Sequence, residues 1–211
     1  MADTQKTCAQ PNKTVLCISG LAGTGKSTLA KKLAQKYNLQ YYSGGDALKD
    51  LAKQEGYDIS VQGWWERSDG LNFLKERLAD PKFDRAVDAK LLEYAKQGNV
   101  LLDSWTMPWL FKGGFKIWLD ASVEKRAMRV AERDQLPFPE ACKMLEEKEK
   151  RTKEIYKELY GFDLGKDLTP FDFVLDTDNL TAPQVFEVLC HVVDSIVFST
   201  PKPEEPEPKL V

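Results

Sequence analysis

Short apolar runs alternate with longer amphipathic ones along most of this chain. Thr14-Val-Leu-Cys-Ile-Ser19 is apolar, β-branched and broken at Gly20, the pattern of a parallel strand buried on both faces. From Lys26 to Tyr37 the residues Leu29, Leu33 and Tyr37 recur at helical spacing. A second strand is expected at Gln40–Ser43, ended by a turn at Gly44-Gly45, with Asp46 capping a helix that runs to about Gln54. Residues 56–81 are the least regular part, with a helix expected over Asn72–Leu78. Further helices are expected over Phe83–Lys96, Glu140–Leu159 and Pro183–Phe198. Further strands are expected at Val100–Asp103, Phe115–Leu119 and Phe171–Leu175. Strand alternating with helix predicts an α/β fold of three layers, a five-stranded parallel sheet covered on both faces.

The loop after the first strand carries the chemistry. Gly20-Leu-Ala-Gly-Thr-Gly25-Lys26-Ser27 has the spacing of a phosphate-binding (P-loop, Walker A) segment, in the required context of strand before and helix after. Glycines let successive N–H groups converge on phosphates, and the helix N-terminus adds its positive end. Gly20, Ala22, Gly23, Thr24, Gly25, Lys26, Ser27 and Thr28 are therefore expected to hold ATP or a close relative. Lys26 would lie on the β/γ-phosphates and the Ser27 hydroxyl on Mg²⁺. Asp103 ends a buried strand, where open α/β sheets present their ligands, and is the preferred second metal residue. Asp120 also ends a strand and competes for that role. No Asn-Lys-x-Asp tetrapeptide of a GTPase is present. Thr177-Asp-Asn179 follows the last strand and is a candidate for the neighbourhood of the nucleotide base.

Composition narrows the setting. A formal net charge of −3 over 211 residues gives no reason to expect nucleic acid as a partner. No stretch reaches the roughly 20 apolar residues of a membrane span, and Met1–Asn12 lacks the apolar centre of a secretory signal, so a cytoplasmic protein is expected. Cys8, Cys17, Cys142 and Cys190 show no zinc-site spacing, and His191, the only histidine, sits in an apolar helical stretch and is assigned no role. Residues 1–12 are expected to be flexible. So is the Pro- and Glu-rich tail at 199–211, which has little apolar surface to bury.

Taken in order, GLAGTGKST, SGGDALKD, FDRAVDAKL, LLDSWTMPW, VAERD and IYKELYGFDLGKDLTPFDFVLDTDN resemble the archaeal-type cytidylate kinases, within the P-loop nucleoside-monophosphate kinases. The resemblance runs from about Thr14 to Val193. It implies one domain over 13–198, with a helical acceptor-binding insert at about 44–98 and a mobile lid at about 130–160. It also implies transfer of the ATP γ-phosphoryl group to a nucleoside monophosphate, CMP or dCMP. By the same resemblance Ser43, Gly45 and Asp46 open the acceptor site, Arg85 lies on its acceptor side, and Arg129 and Arg133 bring the lid onto the donor phosphates and the transferring group. Phosphoryl transfer needs alignment, charge neutralisation and exclusion of water, which cations on a closing lid supply. The Lys- and Glu-rich stretch Glu146–Lys157 divides between that role and a solvated face of i,i+4 ion pairs, with Lys148, Arg151 and Lys153 open to either.

Two departures stand out. Lys49 replaces an arginine common in the second acceptor element, and lysine cannot grip a phosphate with a bidentate fork. Ser104-Trp-Thr-Met-Pro108 lacks the phosphate-binding arginine that the relatives carry after the third strand. Such a loss removes about 1.5–3 kcal/mol, or roughly ten- to a hundredfold in binding, unless another cation takes over. Arg67, Arg77 and Arg85 are the candidates. Trp64, Trp65, Trp105 and Trp109 are expected to divide between core packing and stacking on the acceptor base, Trp105 being the one assigned to the substrate. A kinase for another small-molecule acceptor and an ATP-gated interaction protein of adenylate-kinase-like fold are the competing readings; a general ATPase is a weaker third.

Overall fold

The computed structural model describes residues 13–61 and 63–199. Expectations for residues 1–12, Cys8 included, and for the tail from 200 onward lie outside them. The elements are β1 (Val15–Ser19), α1 (Lys26–Lys36), β2 (Gln40–Ser43), α2 (Gly44–Gln54), α3 (Ser68–Ala79), α4 (Lys82–Gln97) and β3 (Val100–Asp103). They continue with α5 (Met107–Leu110), β4 (Phe115–Asp120), α6 (Val123–Asp134), α7 (Phe138–Tyr160), β5 (Phe173–Asp176) and α8 (Ala182–Ile196), and a single 3₁₀ turn at Trp64–Glu66 precedes α3.

The five strands are parallel, in the order β2-β3-β1-β4-β5. Successive side chains leave opposite faces of a strand. Leu16, Ile18, Leu101, Ile117 and Leu119 therefore pack on one side against Leu29 and Leu33 of α1 and Val185 and Leu189 of α8. Val15, Cys17, Val100 and Leu102 pack on the other against α2, α4, Trp64 and Phe73. Trp118 meets Ile155 and Tyr156 of α7 together with Phe162 and Leu164. The predicted three layers are present. The C-terminal half of α7 belongs to that last cluster through Ile155, Tyr156, Leu159 and Tyr160.

Several local expectations change. Gly44 and Gly45 are the first residues of α2, not a turn, and the cap is Ser43, whose Oγ accepts the Asp46 N–H at 3.1 Å. Asp46 sits in the first turn, where its charge suits the helix dipole. Strand β5 begins at Phe173; Phe171 instead sets its ring against Trp109 and Trp118. Helix α6 is not delimited by apolar spacing because two of its buried positions are charged, Arg126 and Asp134. Cys17 and Cys190 are buried, as their apolar runs suggest, and His191 is exposed.

Buried polar pairs tie the helices beyond the sheet to one another. Arg77 of α3 grips Asp84 of α4 with Nε at 2.9 Å and Nη2 at 2.5 Å, and Nη2 reaches the Tyr156 hydroxyl of α7 at 3.4 Å. Asp88 of α4 accepts from Thr106 Oγ1 at 2.5 Å and from the Tyr160 hydroxyl at 2.6 Å. Arg77 and Asp84 are both only 2% exposed, so neither charge has water to fall back on. An Arg77→Met variant, which leaves Asp84 buried and unpaired, is expected to lose about 3–5 kcal/mol in urea unfolding.

Asp88 generates a second prediction. Burial pushes its carboxyl from the ordinary 3.8 up to about 6, against the opposing pull of the Thr106 and Tyr160 hydroxyls. Between those pH values the folded chain keeps a proton that the unfolded chain has lost, so stability falls as pH rises through the window. At about 1.4 kcal/mol for each pH unit, the charged form costs about 3 kcal/mol by neutral pH. Unfolding free energies at pH 4 and pH 7 should show this loss in the native chain and not in Asp88→Asn, once the pH dependence common to both is subtracted.

Candidate active site

A cleft of roughly 580 Å³ opens at the C-terminal ends of β1, β2 and β3. Its position follows from the sheet order, because the β2–β3–β1 neighbours place Ser43, Asp103 and the loop after Ser19 side by side. One wall is the phosphate loop, with Ala22, Gly23, Gly25, Lys26, Ser27 and Thr28 on the cleft. Gly20 and Thr24 lie behind it. The backbone there is close-packed: an added Cβ on Gly20, at φ +151°, would lie 2.5 Å from the Leu119 carbonyl oxygen. One on Gly23, at φ +83°, would lie 2.8 Å from that of Arg126. Thr24 supports the loop from within, its hydroxyl donating to the Leu21 carbonyl at 2.9 Å.

Arg126 has no role in the sequence reading, yet it holds the loop. It is buried, with Nε donating to the Ala121 carbonyl and Nη1 to the Ala22 carbonyl, each at 3.1 Å, and it pairs with Glu149 of α7. The available signal was its spacing with Val130 and Asp134 on one face of α6.

The opposite wall begins with Ser43, Gly44, Gly45, Asp46 and Lys49. Asp103 lies between the walls, 3% exposed, with Oδ2 accepting from the Tyr41 hydroxyl at 3.0 Å. Burial, then the Asp103 charge, raises the Tyr41 hydroxyl well above its usual range, so it stays a donor to that carboxylate. Asp120 is exposed and absent from the cleft lining, whereas Asp103 is part of it.

Of the arginines from α6, Arg129 lines the cleft and is also tied to Thr177, through Nη1 to its hydroxyl at 3.2 Å and Nη2 to its carbonyl at 3.0 Å. Thr177 thus stands beside the site by way of Arg129. Arg133 lines the cleft with its side chain half exposed and its guanidinium forked onto the neighbouring Asp134, at 2.8 and 2.5 Å.

Arg85, expected on the acceptor side, is turned away from the cleft. It lies on the exposed side of α4 and takes no part in the lining, because Asp84, Val87 and Asp88 occupy the inward face. Arg67 is likewise exposed and off the cleft. Arg77 does line it, but its fork is engaged by Asp84. A cation with no match among those three is Lys148 of α7. It is buried, it lines the cleft, and its Nζ lies 5.5 Å from the centre of the Trp65 ring. Its neighbours Arg151 and Lys153 form the i,i+4 pairs with Glu147 and Glu149.

The four tryptophans take different places around the cleft. Trp109 is stacked on Phe162 with ring centres 4.0 Å apart, away from the cleft. Trp64 is buried at the cleft's inner end, and Trp65 is half-buried on its wall. Trp105 stands in the stretch without arginine. Its Nε1 donates to the Gly20 carbonyl at 2.5 Å, and its ring lies 5.2 Å from the Lys26 ammonium. Trp105 therefore links the strand-end element to the phosphate loop itself.

No helix among the described residues is long and apolar enough to cross a membrane. Solved structures with this arrangement include a shikimate kinase from Bacteroides thetaiotaomicron, at TM-score 0.54 and 15% identity over 88% of this chain and 99% of that one. At that identity the likeness is one of fold. Sequence relatives are closer. A cytidylate kinase of Methanocaldococcus jannaschii is 34% identical over 187 residues, covering 86% of this chain and 98% of its own length. One of Pyrococcus horikoshii is 33% identical over 186 residues, covering 88% and 91%. The profile of the cytidylate kinase-like family matches residues 15–179, and on this match and these relatives the chain belongs to that family.

Proposed function

We propose that this chain transfers the γ-phosphoryl group of ATP to a nucleoside monophosphate, with CMP or dCMP as acceptor. One observation carries the reading: the phosphate loop and the Ser43–Lys49 element face a single cleft, with cations of α6 and α7 lining it between them. Two anionic substrates could meet there with their charge neutralised from several sides.

Lys26, with the N–H groups of the loop, holds the β- and γ-phosphates. The Ser27 hydroxyl and the Asp103 carboxylate are hard oxygen donors at the same end of the sheet, a set that suits Mg²⁺. Held by Ser27 and Asp103, such a cation would supply charge neutralisation to the phosphates. The acceptor enters against the Ser43-capped end of α2, where Lys49 meets its phosphate. Lys148 is placed to supply the charge that Trp105 cannot. Arg129 and Arg133 stabilise the transferring group, Arg133 exchanging its fork on Asp134 for phosphate oxygens. The attacking phosphate oxygen is already anionic, so no strong base is required. Closure around both substrates keeps water from the γ-phosphate.

ADP formation from ATP·Mg²⁺ should be measured with CMP, dCMP, UMP, AMP, GMP and dTMP offered separately. A large stimulation by a cytidine monophosphate is expected, and a flat panel overturns the reading. In the stimulated reaction, Lys26→Ala and Arg133→Ala should each lower kcat/KM by about a thousandfold or more. Thermal unfolding of Lys26→Ala should stay near that of the native chain, since its side chain is part of no hydrophobic cluster. Arg133→Ala should unfold at a lower temperature, because it strips the guanidinium fork from the buried Asp134 carboxylate. Activity retained in either variant removes that residue from the mechanism.

A further inference from the structure

Helix α7 meets the cleft and the phosphate loop with two different faces. Residues four apart lie above one another on a helix. Lys148, Thr152 and Tyr156 accordingly form one row, and all three line the cleft. Ala141, Leu145 and Glu149 form the next row, turned by about 100°. Ala141 and Leu145 pack on Ala22 of the phosphate loop. Glu149 pairs with Arg126, whose Nη1 also donates to the Ala22 carbonyl at 3.1 Å and whose Nε holds the Ala121 carbonyl after β4. Neither partner can turn to water, since their side chains are only 5% and 9% exposed. The next residue of the loop rests on the same arginine, for a Cβ on Gly23 would lie 2.9 Å from that of Arg126.

The bond to Ala22 has a consequence for phosphate. In a trans peptide the C=O and the following N–H point in opposite directions within one plane. By holding the Ala22 carbonyl behind the loop, Arg126 aims the Gly23 N–H, one of the backbone donors that the loop offers to phosphate. The other face of α7 still has polar capacity on the cleft. Lys148 is a buried cation there, and Thr152 Oγ1 and Trp64 Nε1 have no hydrogen-bond partner among the described residues. Buried polar atoms left so are costly, and a ligand that satisfies this face draws α7 toward itself. We propose that the Arg126–Glu149 pair couples the two substrate positions. A monophosphate engaging the Lys148 face of α7 seats the phosphate loop for the donor, through Glu149, Arg126 and the Ala22 carbonyl. Arg126 and Glu149 are positioning residues, since neither lines the cleft. Linkage is reciprocal, so the donor tightens the acceptor by the same factor. The inference rests on the kinase reading above and adds how the two sites are joined.

The test is calorimetric: the dissociation constant of the non-hydrolysable ATP analogue AMP-PNP with Mg²⁺, with and without saturating CMP. In the native chain CMP should tighten AMP-PNP about tenfold. Glu149→Gln keeps the shape of the pair but removes its charge, and should cut that factor to about threefold or less. Arg126→Lys keeps the charge but cannot fork onto both carbonyls. It should lose the coupling and also weaken AMP-PNP by itself about tenfold. Val193→Ala, buried on the α1 and α8 side of the sheet, controls for stability. It should lower the unfolding temperature and leave the factor as in the native chain. A purely structural Arg126–Glu149 pair would behave as Val193→Ala does, and that result overturns this inference while the kinase reading stands. So does a native chain in which CMP binds and leaves AMP-PNP affinity unmoved. If Arg126→Lys does not fold, Glu149→Gln decides. A native chain that neither binds CMP nor phosphorylates it overturns both.

Discussion

At Gly20 the chain leaves β1 with its Cα pressed against the Leu119 carbonyl of β4, leaving no room for any side chain. The geometry of the whole cleft descends from that approach. It sets where the phosphate loop begins, and neighbours on both sides then hold the loop in place. Trp105, after β3, donates to the Gly20 carbonyl, and Arg126 of α6 donates to the Ala22 carbonyl. The loop therefore keeps its shape through the protein's own contacts, and its N–H groups are not left to organise around the ligand. Such preorganisation is what makes backbone donors effective on phosphate.

The helices facing the loop are joined by polar contacts rather than by apolar surface alone. Arg77 and Asp84 reach Tyr156, Asp88 reaches Tyr160, and Lys148 lies against Trp65, so that α3 and α4 of the insert both lean on α7. Buried charges of this kind add little net stability, because their desolvation offsets much of their attraction. Their geometry is directional, however, and it holds the walls of the cleft at a defined separation. Arg77, Asp84, Asp88 and Tyr156 then serve twice, as struts between helices and as part of the polar lining of the cleft.

Trp105 shows how an altered element can shift the work of a site. An arginine at that position would bring a charge to the acceptor phosphate; the tryptophan instead braces the loop and lies beside Lys26. The charge on the cleft is drawn from elsewhere, with Lys148 supplied by α7 and Lys49 by α2. Both are lysines, which neutralise phosphate without the directional grip of a guanidinium.

The strands, the phosphate loop and the Ser43–Lys49 element are legible in the sequence because each is local. A run of β-branched residues, a glycine spacing or a helix start is encoded within a dozen positions, and the alternation of strand and helix leaves few ways to stack them. Family resemblance pointed to Arg129 and Arg133, which line the cleft. What the chain does not display is the facing of side chains across long separations. Arg85 and Arg77 look equally suitable as phosphate ligands, yet the inward face of α4 turns one outward and Asp84 engages the other. Lys148 is indistinguishable in sequence from its solvated neighbours on a charged helix, and only the packing of α7 against Trp65 buries it. Arg126 and the orphaned atoms of Trp64 and Thr152 likewise become visible only when α6, α7 and the insert close on one another. The sequence by itself determined the fold and the position of the phosphate loop, since short-range pattern and backbone sterics suffice for both. The tertiary structure alone decided which charges line the cleft, because that depends on helix rotation and on partners as far apart as Asp88 and Tyr160.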